Sequence, residues 1–175
     1  LLAISTSGNS GNVLAAIDAA MAETALWATL SLHRGFFANA QAQRHARWQQ
    51  QEQRRADALQ VLVLGLGQMG LAAARAIATQ GYRVAGFSLR PRAPGPELAD
   101  IETHHGHAAL DGLLPRCDIV INLLPLTAAT EGLLGAAFFA RLPRGAAVVN
   151  LARGAHLVEA DLLAALDHGQ LQHAV

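Results

Sequence analysis

The stretch VLVLGLGQMG, Val61 to Gly70, constrains this chain more than any other feature. Four apolar residues run into Gly65, Gly67 and Gly70, spaced G-x-G-x-x-G, and LAAARAIATQG follows as a helix with a glycine stop at Gly81. An unbroken apolar run suits a strand buried on both faces, and a glycine loop between such a strand and a helix is the context a dinucleotide-binding turn requires. Gly65 allows the tight turn, Gly67 lets the backbone approach a pyrophosphate, and Gly70 lets helix and strand pack closely. The helix N-terminus then offers N–H groups and a positive dipole end to the phosphates. With strand and helix both in place, a glycine turn without a ligand is the weaker reading.

The same alternation continues downstream. YRVAGF (Tyr82–Phe87), DIVINLLP (Asp118–Pro125) and AAVVNLA (Ala146–Ala152) read as strands, LQHAV as the start of another, with helices around Ala136–Arg141 and Glu159–His168. Short buried strands alternating with helices predict an α/β fold, a doubly wound parallel sheet of the Rossmann type. Upstream, LLAI could be a short strand and STSGNSGN a polar loop. From Val13 to Trp48 strong helix formers dominate, with Gly35 the one breaker. Met21, Ala25, Ala28 and Leu32 share a face of this long helix, which is more than a small core needs; it joins two domains or packs in a dimer. Residues 1–12 are expected to be a linker or remnant of a substrate domain, 13–48 the interdomain helix, and 58–175 the dinucleotide-binding domain, incomplete at its C-terminus, with the second domain largely absent.

Composition narrows the function. Hydrophobic residues are 52% and charged ones 15%, so the chain can bury a core. Lys+Arg and Asp+Glu are 13 each, which argues against nucleic acid. The single Cys117 fits a reducing cytoplasm and reads as a buried, inert thiol. No uninterrupted apolar run of about 18 residues is present, so no membrane span is expected.

Past the second strand, about 18 residues beyond Gly70, an acidic residue normally binds the adenosine ribose. Here that position is Ser88, followed by Arg90 and Arg92. A carboxylate would repel a 2′-phosphate, whereas a serine with nearby arginines welcomes one. NADP is therefore expected in preference to NAD, the alternative being that these arginines are solvated loop charges.

VLVLGLGQMG, INLLPLTAATEGLL, FFARLPRGAAVVNLARG and LVEADLLAALDHGQL, in this order, together resemble the D-isomer-specific 2-hydroxyacid dehydrogenases, and within them the glyoxylate/hydroxypyruvate reductase branch. The resemblance covers about Met21 to the end. It implies a cofactor domain inserted into a substrate domain and a homodimer formed through the long helix. It also implies that Gln68 and Met69 meet the pyrophosphate through their backbone, that Leu124 and Pro125 line the adenine side, that Thr130 reaches toward the phosphate and ribose, and that Leu151 and Ala152 stand near the nicotinamide. Arg153 corresponds to the family's substrate-binding and catalytic arginine. Its planar fork suits a 2-keto acid's carboxylate and its charge polarises the carbonyl. Gly154 after it is read as allowing a sharp turn. Outside that context Arg153 reads equally well as a salt-bridged capping arginine.

The family's general acid is a histidine downstream of the arginine, and none of the eight histidines here matches it. His156 reads as a variable loop residue. His104, His105 and His107, in HHGH, read as a solvated loop, and no metal is expected. The activity implied is NAD(P)H-dependent reduction of glyoxylate or hydroxypyruvate to the D-2-hydroxy acid, with these 175 residues alone binding cofactor without turnover. The alternatives are a D-3-phosphoglycerate dehydrogenase or other D-2-hydroxyacid dehydrogenase, and a non-catalytic nucleotide-binding module.

Overall fold

The computed structural model describes residues 11–50 and 52–175; the expected strand at LLAI lies outside them. Six strands form one wholly parallel sheet, β1 (Gln60–Leu64), β2 (Arg83–Ser88), β3 (Ile101–His105), β4 (Ile119–Asn122), β5 (Ala146–Asn150) and β6 (Leu171–Ala174), in the order β3-β2-β1-β4-β5-β6. The chain winds outward from β1 in one direction and from β4 in the other. The crevice between them is where strand order reverses and where ligands of such sheets bind.

The unbroken apolar strands follow from burial on both faces. Leu62 and Leu64 of β1, Val120 of β4 and Val148 of β5 enter one core, against Leu110, Leu113, Phe138, Phe139 and Ala165. These come from α4 (His107–Leu113), α5 (Ala136–Phe139), the residues just beyond them and α6 (Glu159–Asp167). The alternate residues, Val61 and Val63, Ile119 and Ile121, and Val149, enter a second core with Ala73, Ala74 and Ile77 of α3 (Gln68–Thr79). Ala25 and Ala28 of α1 (Gly11–His33) complete that second core.

The N-terminal segment differs from the single long helix expected over Val13–Trp48. Gly35 takes the left-handed conformation, φ 65°, and divides it into α1 and α2 (Phe36–Arg44). The second half of α1 does not project: it lies on α3, where the small side chains of Ala25 and Ala28 let the helices approach. Its end is stapled by His33, whose Nδ1 is 2.6 Å from the Tyr82 hydroxyl and whose Nε2 is 2.7 Å from the Arg54 carbonyl oxygen. α2 carries no buried residue.

Two further expectations, for the HHGH stretch and for His156, are corrected. By length and composition α1 is apolar enough to cross a bilayer, because scattered Asp and Glu interrupt its apolar run without making it polar. One of them, Asp18, accepts a hydrogen bond from Gln68 Nε2 at 2.6 Å, tying α1 to the start of α3. The HHGH stretch is no loop, since His104 and His105 belong to β3 and His107 opens α4. His156, read as a variable loop residue, is wholly buried. Cys117 is buried as expected; desolvation pushes its thiol up to about 12, and Sγ donates to the Leu113 carbonyl at 3.0 Å.

Candidate dinucleotide and substrate site

The glycine loop occupies the carboxyl end of β1 and its three glycines do different things. Gly65 has φ 96°, and a Cβ there would stand 2.7 Å from the Leu123 carbonyl oxygen. A Cβ on Gly70 would fall 1.8 Å from the Gly65 carbonyl oxygen, so only glycine lets α3 start this close to the turn. A Cβ on Gly67 would meet nothing within 4 Å, which leaves open space over the backbone. Gly67 also caps α3 without a side chain, and no acidic residue occupies the first turn. The N–H groups of Gln68, Met69 and Gly70 thus begin a helix whose positive end is left for an external anion.

Beside this loop lies a cavity of about 470 Å³ with a mainly apolar lining. Gly65, Leu66 and Gly67 form one side, Phe87, Ser88, Leu89 and Arg90 another, and Leu124, Pro125, Thr127 and Thr130 a third. Its size and character suit an adenosine moiety. The Ser88 hydroxyl donates to the Arg90 carbonyl at 2.7 Å, curling the chain so that both residues stay on the lining. Arg92 is held differently: its guanidinium donates to the Leu66 carbonyl of the glycine loop. Thr130 Oγ1 donates to the Pro125 carbonyl at 2.8 Å and accepts from the Thr127 N–H at 2.9 Å, so this hydroxyl shapes its own loop. A hollow of about 590 Å³ between Asn39 and Gln49 has no glycine loop or strand end beside it.

Arg153 follows β5 on the same carboxyl edge, outside the cavity's lining, with Leu151 and Ala152 half-buried before it. Its side chain is exposed, and Nη1 donates to the Ala152 carbonyl at 3.1 Å. Gly154 does not have the positive φ that a turn demanding glycine would show. The bend is made instead by a short 3-10 turn, Gly154–His156. Two asparagines not singled out in the sequence, together with His156, surround this turn. Asn122, wholly buried at the end of β4, accepts from the Leu124 N–H at 3.2 Å and donates through Nδ2 to Asn150 Oδ1 at 3.0 Å. Asn150 Nδ2 donates in turn to the Arg153 carbonyl at 3.0 Å. His156 Nδ1 lies 3.0 Å from the same oxygen. Their sequence signal was weak but present: an asparagine closing each of two otherwise apolar strands.

A wholly parallel sheet with a glycine loop at its switch point and an adenosine-sized cavity beside it defines a dinucleotide-binding domain of the Rossmann type. Residues 26–175 match the family model described as D-isomer specific 2-hydroxyacid dehydrogenase, NAD binding domain, and the chain belongs to that family. The glyoxylate/hydroxypyruvate reductase A of Klebsiella pneumoniae (strain 342) is 38% identical over 130 residues, 74% of this chain and 40% of the relative. A D-isomer specific 2-hydroxyacid dehydrogenase from Xanthobacter autotrophicus Py2, solved with NADPH and MES, aligns with a TM-score of 0.86 and 40% identity over 90% of this chain and 49% of that one. The NADPH-dependent glyoxylate/hydroxypyruvate reductase of Sinorhizobium meliloti, solved with NADP and sulfate, aligns with a TM-score of 0.84 at 34% identity, over 90% and 50%. The chain thus spans about half the length, or less, of these relatives.

Proposed function

We propose that the protein carrying this chain reduces a small 2-keto acid, glyoxylate or hydroxypyruvate, to the D-2-hydroxy acid with NADPH. The observation that carries the reading is the meeting, on one carboxyl edge, of a phosphate-accepting helix start, a cavity bearing Ser88 and Arg90, and an exposed Arg153. The names of the relatives support the substrate class. When bound, the dinucleotide supplies a hydride. The first turn of α3 accepts the pyrophosphate, the apolar cavity takes the adenine, and Ser88 with Arg90 takes the 2′-phosphate. Leu151 and Ala152 bound the nicotinamide end.

Arg153 grips the substrate carboxylate with two parallel N–H bonds and polarises the adjacent carbonyl, strengthening as charge develops on its oxygen. His156 is buried and turned to a carbonyl, so it is not the proton donor. The acid comes from outside the described residues, and the 175 residues alone bind NADPH without turnover. α1 and α2, which expose Ile17, Trp27, Phe36 and Phe37, pack against a second copy. The zero net charge fits a small-molecule partner and not nucleic acid, and the buried thiol suits the cytoplasm. The test is Arg153→Lys, which keeps the charge but loses the fork. It should lower kcat/KM for glyoxylate by about hundredfold while NADPH affinity holds. Unchanged turnover would remove Arg153 from the mechanism.

A further inference from the structure

The carbonyl oxygen of Arg153 is held by three donors: Asn150 Nδ2 at 3.0 Å, His156 Nδ1 at 3.0 Å and the His156 backbone N–H at 3.1 Å. A carbonyl oxygen has two lone pairs, so this one is saturated by groups from both sides of the turn. The asparagines are themselves fixed. Asn150 Oδ1 accepts from Asn122 Nδ2 at 3.0 Å and from the Ala152 N–H at 3.3 Å, while Asn122 Oδ1 accepts from the Leu124 N–H at 3.2 Å. The carbonyl only accepts, so the His156 proton sits on Nδ1. That leaves Nε2 buried with no partner among the described residues. A wholly buried imidazole with one nitrogen unpaired is a poor device for stability alone, because an apolar residue of similar size would avoid the desolvation.

We propose that His156 and Asn150 are positioning residues for Arg153, with Asn122 fixing Asn150. Together they lock the root of a long, exposed side chain whose freedom would otherwise have to be lost when substrate binds. The chain of bonds begins at the Leu124 N–H, in the loop that walls the nucleotide cavity, so the substrate arginine is held in register with the cofactor's loop. This rests on the reading of Arg153 as the carboxylate ligand.

The test uses the full gene product, with KM and kcat for glyoxylate at saturating NADPH and NADPH affinity by fluorescence. His156→Leu removes the donor, and His156→Asn returns an amide N–H at about the reach of Nδ1. His156→Leu should raise the keto-acid KM about fivefold, the loss of one hydrogen bond, with NADPH affinity unchanged. His156→Asn should recover most of that loss. In an Arg153→Gln background His156→Leu should change KM little, since the residue acts only through Arg153. An unchanged KM in His156→Leu, or the same increase in both backgrounds, overturns the inference while leaving Arg153 in place. If Arg153→Gln itself leaves kcat/KM intact, the reading beneath falls too. The ring ¹⁵N signals of the unaltered chain give a measurement independent of any variant's folding: the Nδ1–H tautomer is expected, and an Nε2–H tautomer contradicts the bracket.

Discussion

Arg90 and Arg92 stand two residues apart and face different tasks. Arg90 lines the cavity with Ser88, while Arg92 is spent on the Leu66 carbonyl of the glycine loop. The reader of a 2′-phosphate should therefore be Arg90. Arg90→Ala is expected to weaken NADPH binding by about 1–3 kcal/mol, the loss of a charge-assisted contact, with NADH little changed. Isothermal titration with both dinucleotides checks this, and an equal loss for the two would mean that Arg90 reads something they share. Arg92→Ala, by contrast, should loosen the glycine loop and weaken both.

At the scale of elements, the turn from β1 into α3 makes two glycines testable against each other. Gly70→Ala would place a methyl 1.8 Å from the Gly65 carbonyl oxygen, so the helix start or the turn must move. About 1–3 kcal/mol of stability should be lost, in the range of overpacking, and NADPH affinity with it. Gly67→Ala meets nothing within 4 Å and sits at φ −66°, which alanine accepts, so thermal unfolding without nucleotide should be unchanged. Its affinity for NADPH should nevertheless fall, because the methyl occupies space the pyrophosphate approaches. Thermal unfolding with and without NADPH reads both effects; a destabilised Gly67→Ala would show that the loop has no room to spare.

The same scale shows why parts of the fold were legible in the sequence. β1, β4 and β5 are buried on both faces and advertise themselves as apolar runs. β3 pairs only with β2 and buries Ile101 while leaving Glu102, Thr103 and His105 exposed, so it carries no such signal. Glu102 also takes Arg116 and His104 as partners, at 2.8 and 2.7 Å, and both hold its carboxyl below the usual range, Arg116 the more. The burial of His156 was hidden for a different reason. It arises from a 3-10 turn folding back under Arg153, a tertiary effect that periodicity does not record. The break at Gly35 was visible as a residue but not as an event, since glycine within a helical run is often tolerated at a cost of about 1 kcal/mol.

On the whole molecule, α1 and α2 leave large apolar side chains in solvent: Trp27 is 54% exposed and Phe36 52%. Trp27 meets Phe37 edge to face at 6.1 Å, which gives the patch a defined shape across the helix break. Exposed patches of this kind mark interfaces. The full gene product is expected to sediment as a homodimer, and Trp27→Glu should shift it toward monomer without abolishing NADPH binding at the far edge of the sheet. A monomeric parent would sink this assignment.

The carboxyl edge of this sheet is proposed to be built for NADP(H). Titrating the 175-residue chain with NADPH and with NADH, following nucleotide fluorescence, tests it most directly. The expected result is saturable binding of both, tighter for NADPH by about five- to 150-fold, as a contact worth about 1–3 kcal/mol requires. Equal affinity for the two would contradict the role of Ser88 and Arg90, and failure to bind either would contradict the site itself.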